Sequence, residues 1–362
     1  MLGIVRNQGF VGERRTHQRN GLSGAGTGAR RPLHVNEALG DRHSMRSAFA
    51  HTLLELAETD ERIVLLTGDL GFAVLEPFAE RHPERFWNVG VAEQNMVGVA
   101  TGLADAGYTP YVYSIATFAS MRGYEFVRNG PILHELPVRV VGVGGGMDYG
   151  HNGVTHYALE DAGIMRVQPG IAVIAPADPE QTRAALPAIQ GLPGPVYLRL
   201  GKESQPVPGL DGRFALGRAE RIGGGRDVAL VTLGGMAATA VEAAERLAAD
   251  GVDASVLVVS SLNPAPTDDL AEALADVPVA LSAEAHYVNG ALGSLVAETI
   301  AEQGLACRLV RAGLRAMPIG ATGSRPHLYE RHGLAPDQLA ASALRALEGV
   351  PAPVTTGATQ PR

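Results

Sequence analysis

The stretch NVGVAEQNMVGVATGLADAGYTPYV, residues 88–112, sets one carboxylate, Glu93, at the head of an apolar run of small residues. An acid in the first turn of a helix is favoured by the helix dipole, by about 0.3–1 kcal/mol, and residue type alone asks for nothing more. The surroundings ask for more. Val89, Val91, Met96, Val97, Val99 and Leu103 make the neighbourhood apolar on nearly every side. Desolvation there would raise the carboxyl pKa and suit the group to exchange a proton with a ring nitrogen near neutral pH.

Several other chemistries lack their residues. The chain has no GxxxxGK[ST] phosphate loop, no HExxH and no GxSxG at a strand–helix turn. GVGGG at 142–146 follows a predicted strand but lacks GxGxxG spacing and a following helix, so it is a poor dinucleotide site. A net charge of -8 argues against a nucleic-acid or anionic-membrane surface. No apolar run approaches the roughly 18 residues of a membrane-spanning helix. The only cysteine, Cys307, can form neither an internal disulfide nor a Cys-based metal site, which suits a reducing cytoplasm.

The elements that must position Glu93 are legible as an alternation. MRSAFAHTLLELAETD has helical spacing and precedes RIVLLTGDL, a continuous apolar strand. Further strands follow at TPYVYSIA, VRVVGVGGG, IAVIAPAD and PVYLRLG, with helices at 93–106, near 120–130 and after Asp178. A second block carries strands DVALVTLGG, ASVLVVSS, PVALSAEAH and CRLVRAG, with helices at 236–249, 267–275, 290–303 and 336–347. Strands of Val, Ile and Leu without polar alternation are buried on both faces. The predicted fold is therefore α/β: two consecutive three-layer domains with mostly parallel sheets. Residues 41–205 form the first domain, 206–225 a linker and 226–348 the second, with disordered tails at 1–40 and 349–362.

Several motifs then occur in order. NVGVAEQNMVGVATGLADAGYTPYVYSIATFASMRGYEFVR, GHNGVTHYALEDAGIMRVQPGIAVIAPADPEQT and PVYLRLGK resemble the pyrimidine-binding domain of transketolases. EAHYVNGALGSLVAE resembles the start of the transketolase C-terminal domain, so the likeness runs from residue 44 to about 348. It implies thiamine diphosphate as cofactor, with Glu93 hydrogen-bonded to N1′ of the aminopyrimidine and Phe118 stacked on that ring. Ile115 stands where longer transketolases often carry a second Phe. Arg122 and Tyr124 would line the cofactor pocket or the dimer seam, and Asp69 would lie near the cofactor. His156 would serve catalysis at the donor site beside Asn152, while Arg46 and Arg199 would grip a sugar phosphate, as forked guanidinium groups can. Residue type alone permits plainer readings: Phe118 as core, Asp69 as a turn cap, His156 as a surface histidine, the arginines as solvated. Glu284 and His286 match a family turn at the subunit contact.

Departures from the pattern bear on substrate. Gly144 replaces a phosphate-contacting His, Asn152 an Asp, and Ala73 a Ser. These losses leave the cofactor machinery and alter the acceptor pocket, so the acceptor is expected to be a specialised sugar or carrier-bound group. The GDG segment with which transketolases hold the diphosphate and Mg²⁺ is absent. Holding an octahedral Mg²⁺ needs such oxygen ligands. The resemblance therefore implies half of a split enzyme: a separate N-terminal subunit would bind the diphosphate and metal in an α₂β₂ assembly, and this chain would hold no metal. The rival readings are the beta subunit of a 2-oxo acid dehydrogenase, a deoxyxylulose-phosphate synthase, and a non-catalytic scaffold on the same fold.

Overall fold

The computed structural model describes residues 43–349. The expected tail at 1–40 and nearly all of that at 349–362 lie outside the described residues. The first sheet contains β1 (Ile63–Thr67), β2 (Phe86–Asn88), β3 (Thr109–Ile115), β4 (Arg139–Val143), β5 (Ala172–Ile174) and β6 (Val196–Leu200). The second contains β7 (Ala219–Ile222), β8 (Val228–Leu233) and β9 (Ala254–Val259). β10 (Ser261–Asn263) leaves it for the first sheet, and β11 (Val279–Tyr287) and β12 (Arg308–Leu314) complete the second.

The order in the first sheet is β10-β5-β6-β4-β3-β1-β2, and in the second β12-β11-β8-β9-β7. All pairings are parallel except β10 on β5 and β7 on β9, each at one edge of its sheet. Every residue of β1, β3, β4, β6 and β8 is buried, as a sheet covered by helices on both faces requires. The helices begin where local chemistry allows. Ser44 accepts from the Ser47 amide ahead of helix Met45–Thr59, and Asp178 accepts from the Gln181 amide at 2.7 Å with Pro179 at the first helical position.

Three features differ from the sequence reading. The segment 206–225, expected as a linker, carries the edge strand β7, whose half-exposed Ala219–Ile222 shows no apolar period. ASVLVVSS does not end one strand; after Ser260 the chain crosses over, and β10 pairs with the first domain's β5. A three-residue polar strand has no period to read. Finally, Phe118–Ile132 is helical but includes wide π-type turns at Phe118–Arg122 and Arg128–Ile132, a distortion often found at functional sites.

Sheet order decides what meets. The neighbours β6, β4, β3 and β1 all run the same way, so the residues after their carboxyl ends share one crevice: Lys202, Gly144–Tyr149, Phe118 and Gly68. Open α/β sheets bind their ligands at that edge.

Candidate active site

Glu93 opens helix Glu93–Asp105 from an Ala92 cap that offers no side-chain hydrogen bond. Its carboxylate is 3% exposed. The Ser114 hydroxyl, at the end of β3, donates to Oε1 at 3.1 Å, and Arg122 donates to both oxygens at 3.1 and 3.0 Å. Gly68 after β1 closes over the group: a Cβ there would stand 3.7 Å from Oε1. The sequence predicts an apolar surround on nearly every side, and here the structure differs. A hydroxyl and a guanidinium face the carboxylate, because a buried charge left unpaired costs several kcal/mol. Val91, counted among its apolar neighbours, points outward instead.

A row of flat and cationic groups runs from this acid. The Arg122 guanidinium lies 3.7 Å above the Phe118 ring centroid while bonded to Glu93. His156 meets Phe118 edge-on at 5.2 Å, and Tyr149 approaches His156 at 6.3 Å. The Lys202 ammonium sits 3.3 Å over the Tyr149 ring, a close cation–π contact. Arg46, in the first turn of Met45–Thr59, exerts its charge on Tyr113, Tyr149 and Lys202 alike. Burial lowers the Lys202 pKa; Asp148 opposes that shift, and Arg46 and Arg325 add to it. Thus Glu93, Phe118, Arg122, His156 and Arg46 are assembled at one edge. Gly144 has φ +75°, and a Cβ on it would fall 2.2 Å from Cε2 of Tyr149. The tyrosine ring fills the room that a side chain at 144 would need.

Other predicted site residues are placed differently. Arg199 is a correction. Its Nε donates to Asp161 at 2.7 Å and its Nη2 to the Ala158 and Ala285 carbonyls, with the side chain 7% exposed. Next to last in β6, opposite Gly142, it is closed in by Asp161, the loop at Gly145 and Ala285 of the second domain. Burial alone would lower its pKa, but Asp161 and Tyr197 outweigh that and the value is raised. Tyr124 commits its hydroxyl to Ile164, whose carbonyl accepts at 2.8 Å, and to Gln168. Ile115 ends β3, buried beside Val143.

Asp69 holds a left-handed turn (φ 60°) by exchanging hydrogen bonds with Asn88, and its side chain is exposed. Asn152 is exposed in the turn that precedes His156. Ala73 gives its amide to Glu76. Within the chain Glu284 and His286 are interior: β11 is buried on both faces, and Glu284 accepts the Leu292 and Gly293 amides at the head of helix Leu292–Glu302.

Ser114, Tyr149 and Lys202 are the residues that sequence reasoning missed. Lys202 carried a usable signal: it stands two residues past the end of β6, where α/β sheets meet ligands, whereas Arg199 lies inside the strand. Among the described residues no group of three or more His, Cys, Asp or Glu is placed to hold a metal ion, and no helix is long and apolar enough to cross a membrane.

A buried helix-head carboxylate and an aromatic platform at the carboxyl edge of a covered parallel sheet mark a ligand-binding site of an α/β protein. Comparison with known proteins gives the family. The pyrimidine-binding domain of transketolase matches residues 41–207, and the transketolase C-terminal domain matches 217–339. The chain belongs to the transketolase family. It is 37% identical to 6-deoxy-6-sulfo-D-fructose transketolase subunit SqwH of Clostridium sp. (strain MSTE9), over 84% of this chain and 94% of that protein. It is 35% identical to an apulose-4-phosphate transketolase subunit of Actinobacillus succinogenes, over 75% of this chain and 88% of that protein. A solved split-gene transketolase, described as an inactive beta4 tetramer, superposes with a TM-score of 0.77 at 37% identity, covering 84% of this chain and 98% of its own.

Proposed function

We propose that this chain is the second subunit of a two-component transketolase, moving a two-carbon ketol unit from a ketose donor to an acceptor. The observation that carries the reading is the cradle between Glu93 and Phe118. A flat group bearing N–H donors, the Arg122 guanidinium, already fits there, bonded to the carboxylate and stacked on the ring. An aminopyrimidine is also flat, and one of its ring nitrogens can share a proton with the carboxylate in the guanidinium's place, so the residues present fit thiamine diphosphate.

When bound, thiamine diphosphate supplies a carbon nucleophile that can hold the electrons of the transferred ketol unit. The work of this chain is local. Glu93, buried and closed over by Gly68, holds or shares a proton at a ring nitrogen. Phe118 excludes water from one ring face. His156, fixed edge-on against Phe118 and hydrogen-bonded to Thr155 at 3.0 Å, moves protons at the donor's hydroxyl groups. Arg46 and Lys202 offer positive charge to an anionic end of the substrate, and Asn152 lies at the rim.

The diphosphate and its Mg²⁺ fall to a separate N-terminal subunit, in an α₂β₂ assembly in the cytoplasm. The solved neighbour described as an inactive tetramer of beta chains supports the need for such a partner. The names of the two relatives, a 6-deoxy-6-sulfo-D-fructose and an apulose-4-phosphate transketolase subunit, support a specialised sugar as substrate. The test is reconstitution. Calorimetry should show no tight thiamine diphosphate binding to the purified chain and tight binding once the partner is added. Product analysis should show two-carbon transfer without CO₂; decarboxylation of a 2-oxo acid would overturn the reading in favour of a dehydrogenase or synthase.

A further inference from the structure

We infer that Arg325, a residue of the second domain, is a positioning residue for the substrate-facing cations of the first. The inference rests on the reading above, in which Arg46 and Lys202 receive an anionic end of the substrate. Arg325 occupies the first turn of helix Arg325–Arg331, behind the Ser324 cap. A cation there opposes the helix dipole, so its place needs another reason. The reason is across the domain boundary. Nη1 of Arg325 donates to Oδ1 of Asp148 at 3.1 Å and also to Oε1 of Glu203. Those carboxylates are 3% and 10% exposed, against 32% for the arginine.

Each carboxylate belongs to a segment that carries the wall of the site. Asp148 precedes Tyr149; its Oδ2 accepts the Lys202 amide at 2.9 Å and its carbonyl accepts the Lys202 ammonium at 3.3 Å. Glu203 follows Lys202, and its carbonyl accepts the Met45 amide at 2.9 Å, one residue before Arg46. One guanidinium therefore ties the segments bearing Tyr149, Lys202 and Arg46 into a single unit. Without it, Asp148 and Glu203 would lose the guanidinium that joins them, and the loops that carry Lys202 and Arg46 would part. The second domain thereby enters substrate recognition, a part that the layout of the sequence does not give it. A lysine at 325 would keep the positive charge but not the planar, preorganised guanidinium, so it could take over only in part.

The experiment uses the reconstituted two-subunit enzyme and compares one ketose phosphate donor with its dephosphorylated form. The readout is the ratio of the two KM values, with kcat measured alongside. Arg325→Met should raise KM for the phosphorylated donor about tenfold and leave that for the neutral donor within about twofold, with kcat little changed. Arg325→Lys should fall between wild type and Met. An unchanged ratio in Arg325→Met, or an equal rise of both KM values, would overturn the inference. If the Met variant does not fold, the Lys variant decides: a ratio raised about threefold is expected, and an unchanged one overturns it. A wild-type enzyme that turns over neither donor would be a separate failure, that of the transketolase reading itself.

Discussion

Arg122 reaches back across 29 residues of sequence to hold both oxygens of Glu93, at 3.1 and 3.0 Å, while its guanidinium covers the face of Phe118. One side chain thus marks the outline of the cradle in which the acid would act.

If Glu93 shares a proton with a ring nitrogen, the isosteric Glu93→Gln variant of the reconstituted enzyme should lose at least about 100-fold in kcat. Its circular dichroism spectrum should match wild type, because Gln fills the same volume and can still meet Ser114. Retained turnover would remove the proton-sharing role of Glu93.

Phe118 is half-buried, with one face on Arg122 and an edge on His156. Aromatic stacking contributes about 0.5–1.5 kcal/mol beyond area burial, so Phe118→Leu should weaken thiamine diphosphate binding to the two-subunit enzyme about 3- to 10-fold. Calorimetric titration measures this directly. An unchanged dissociation constant would remove the platform role.

Arg199 makes an opposite prediction to that of a substrate-gripping arginine. Arg199→Met leaves Asp161 buried and uncompensated beside Tyr197, and should cost about 3–5 kcal/mol in urea unfolding. Arg199→Met with Asp161→Asn should recover part of that loss. A stable single variant with a raised KM for phosphorylated donors would restore the sequence reading.

Glu203 gives stability a pH dependence. Burial, then the charge of Asp148, pushes its pKa up to about 7, with Arg325 only partly opposing. The folded chain keeps that proton up to about pH 7, while the unfolded chain loses it near 4.5. Between those values the folded state binds more protons, so this group's contribution to stability is full below pH 4.5 and falls as pH rises to 7. The loss is on the order of a few kcal/mol. Glu203→Gln should flatten that slope in denaturant titrations from pH 4.5 to 7; a slope equal to wild type would show that another group titrates.

How much was legible depended on the length of the pattern that each feature wrote into the chain. Continuous apolar strands such as Ile63–Thr67 and Val228–Leu233 declared a covered parallel sheet, because burial on both faces leaves a run of Val, Ile and Leu. Ser261–Asn263 and Ala219–Ile222 did not, since short edge strands need no such run. The helix Arg325–Arg331 was missed although Ser324 and Pro326 form a start signal, because seven residues carry too little period.

Sequence by itself determined the two-block α/β order and the burial of Glu93 at a helix head, since these lie within short, strongly patterned segments; Phe118 entered only through the resemblance to transketolases. Only the tertiary structure decided which cations face the crevice. Arg199 and Lys202 are three residues apart, yet the first ends its side chain on buried Asp161 while the second stands beyond the end of β6, over Tyr149. Nothing in a linear pattern could join Arg325 to Asp148 across 177 residues, because that contact exists only where the second domain folds back against the first.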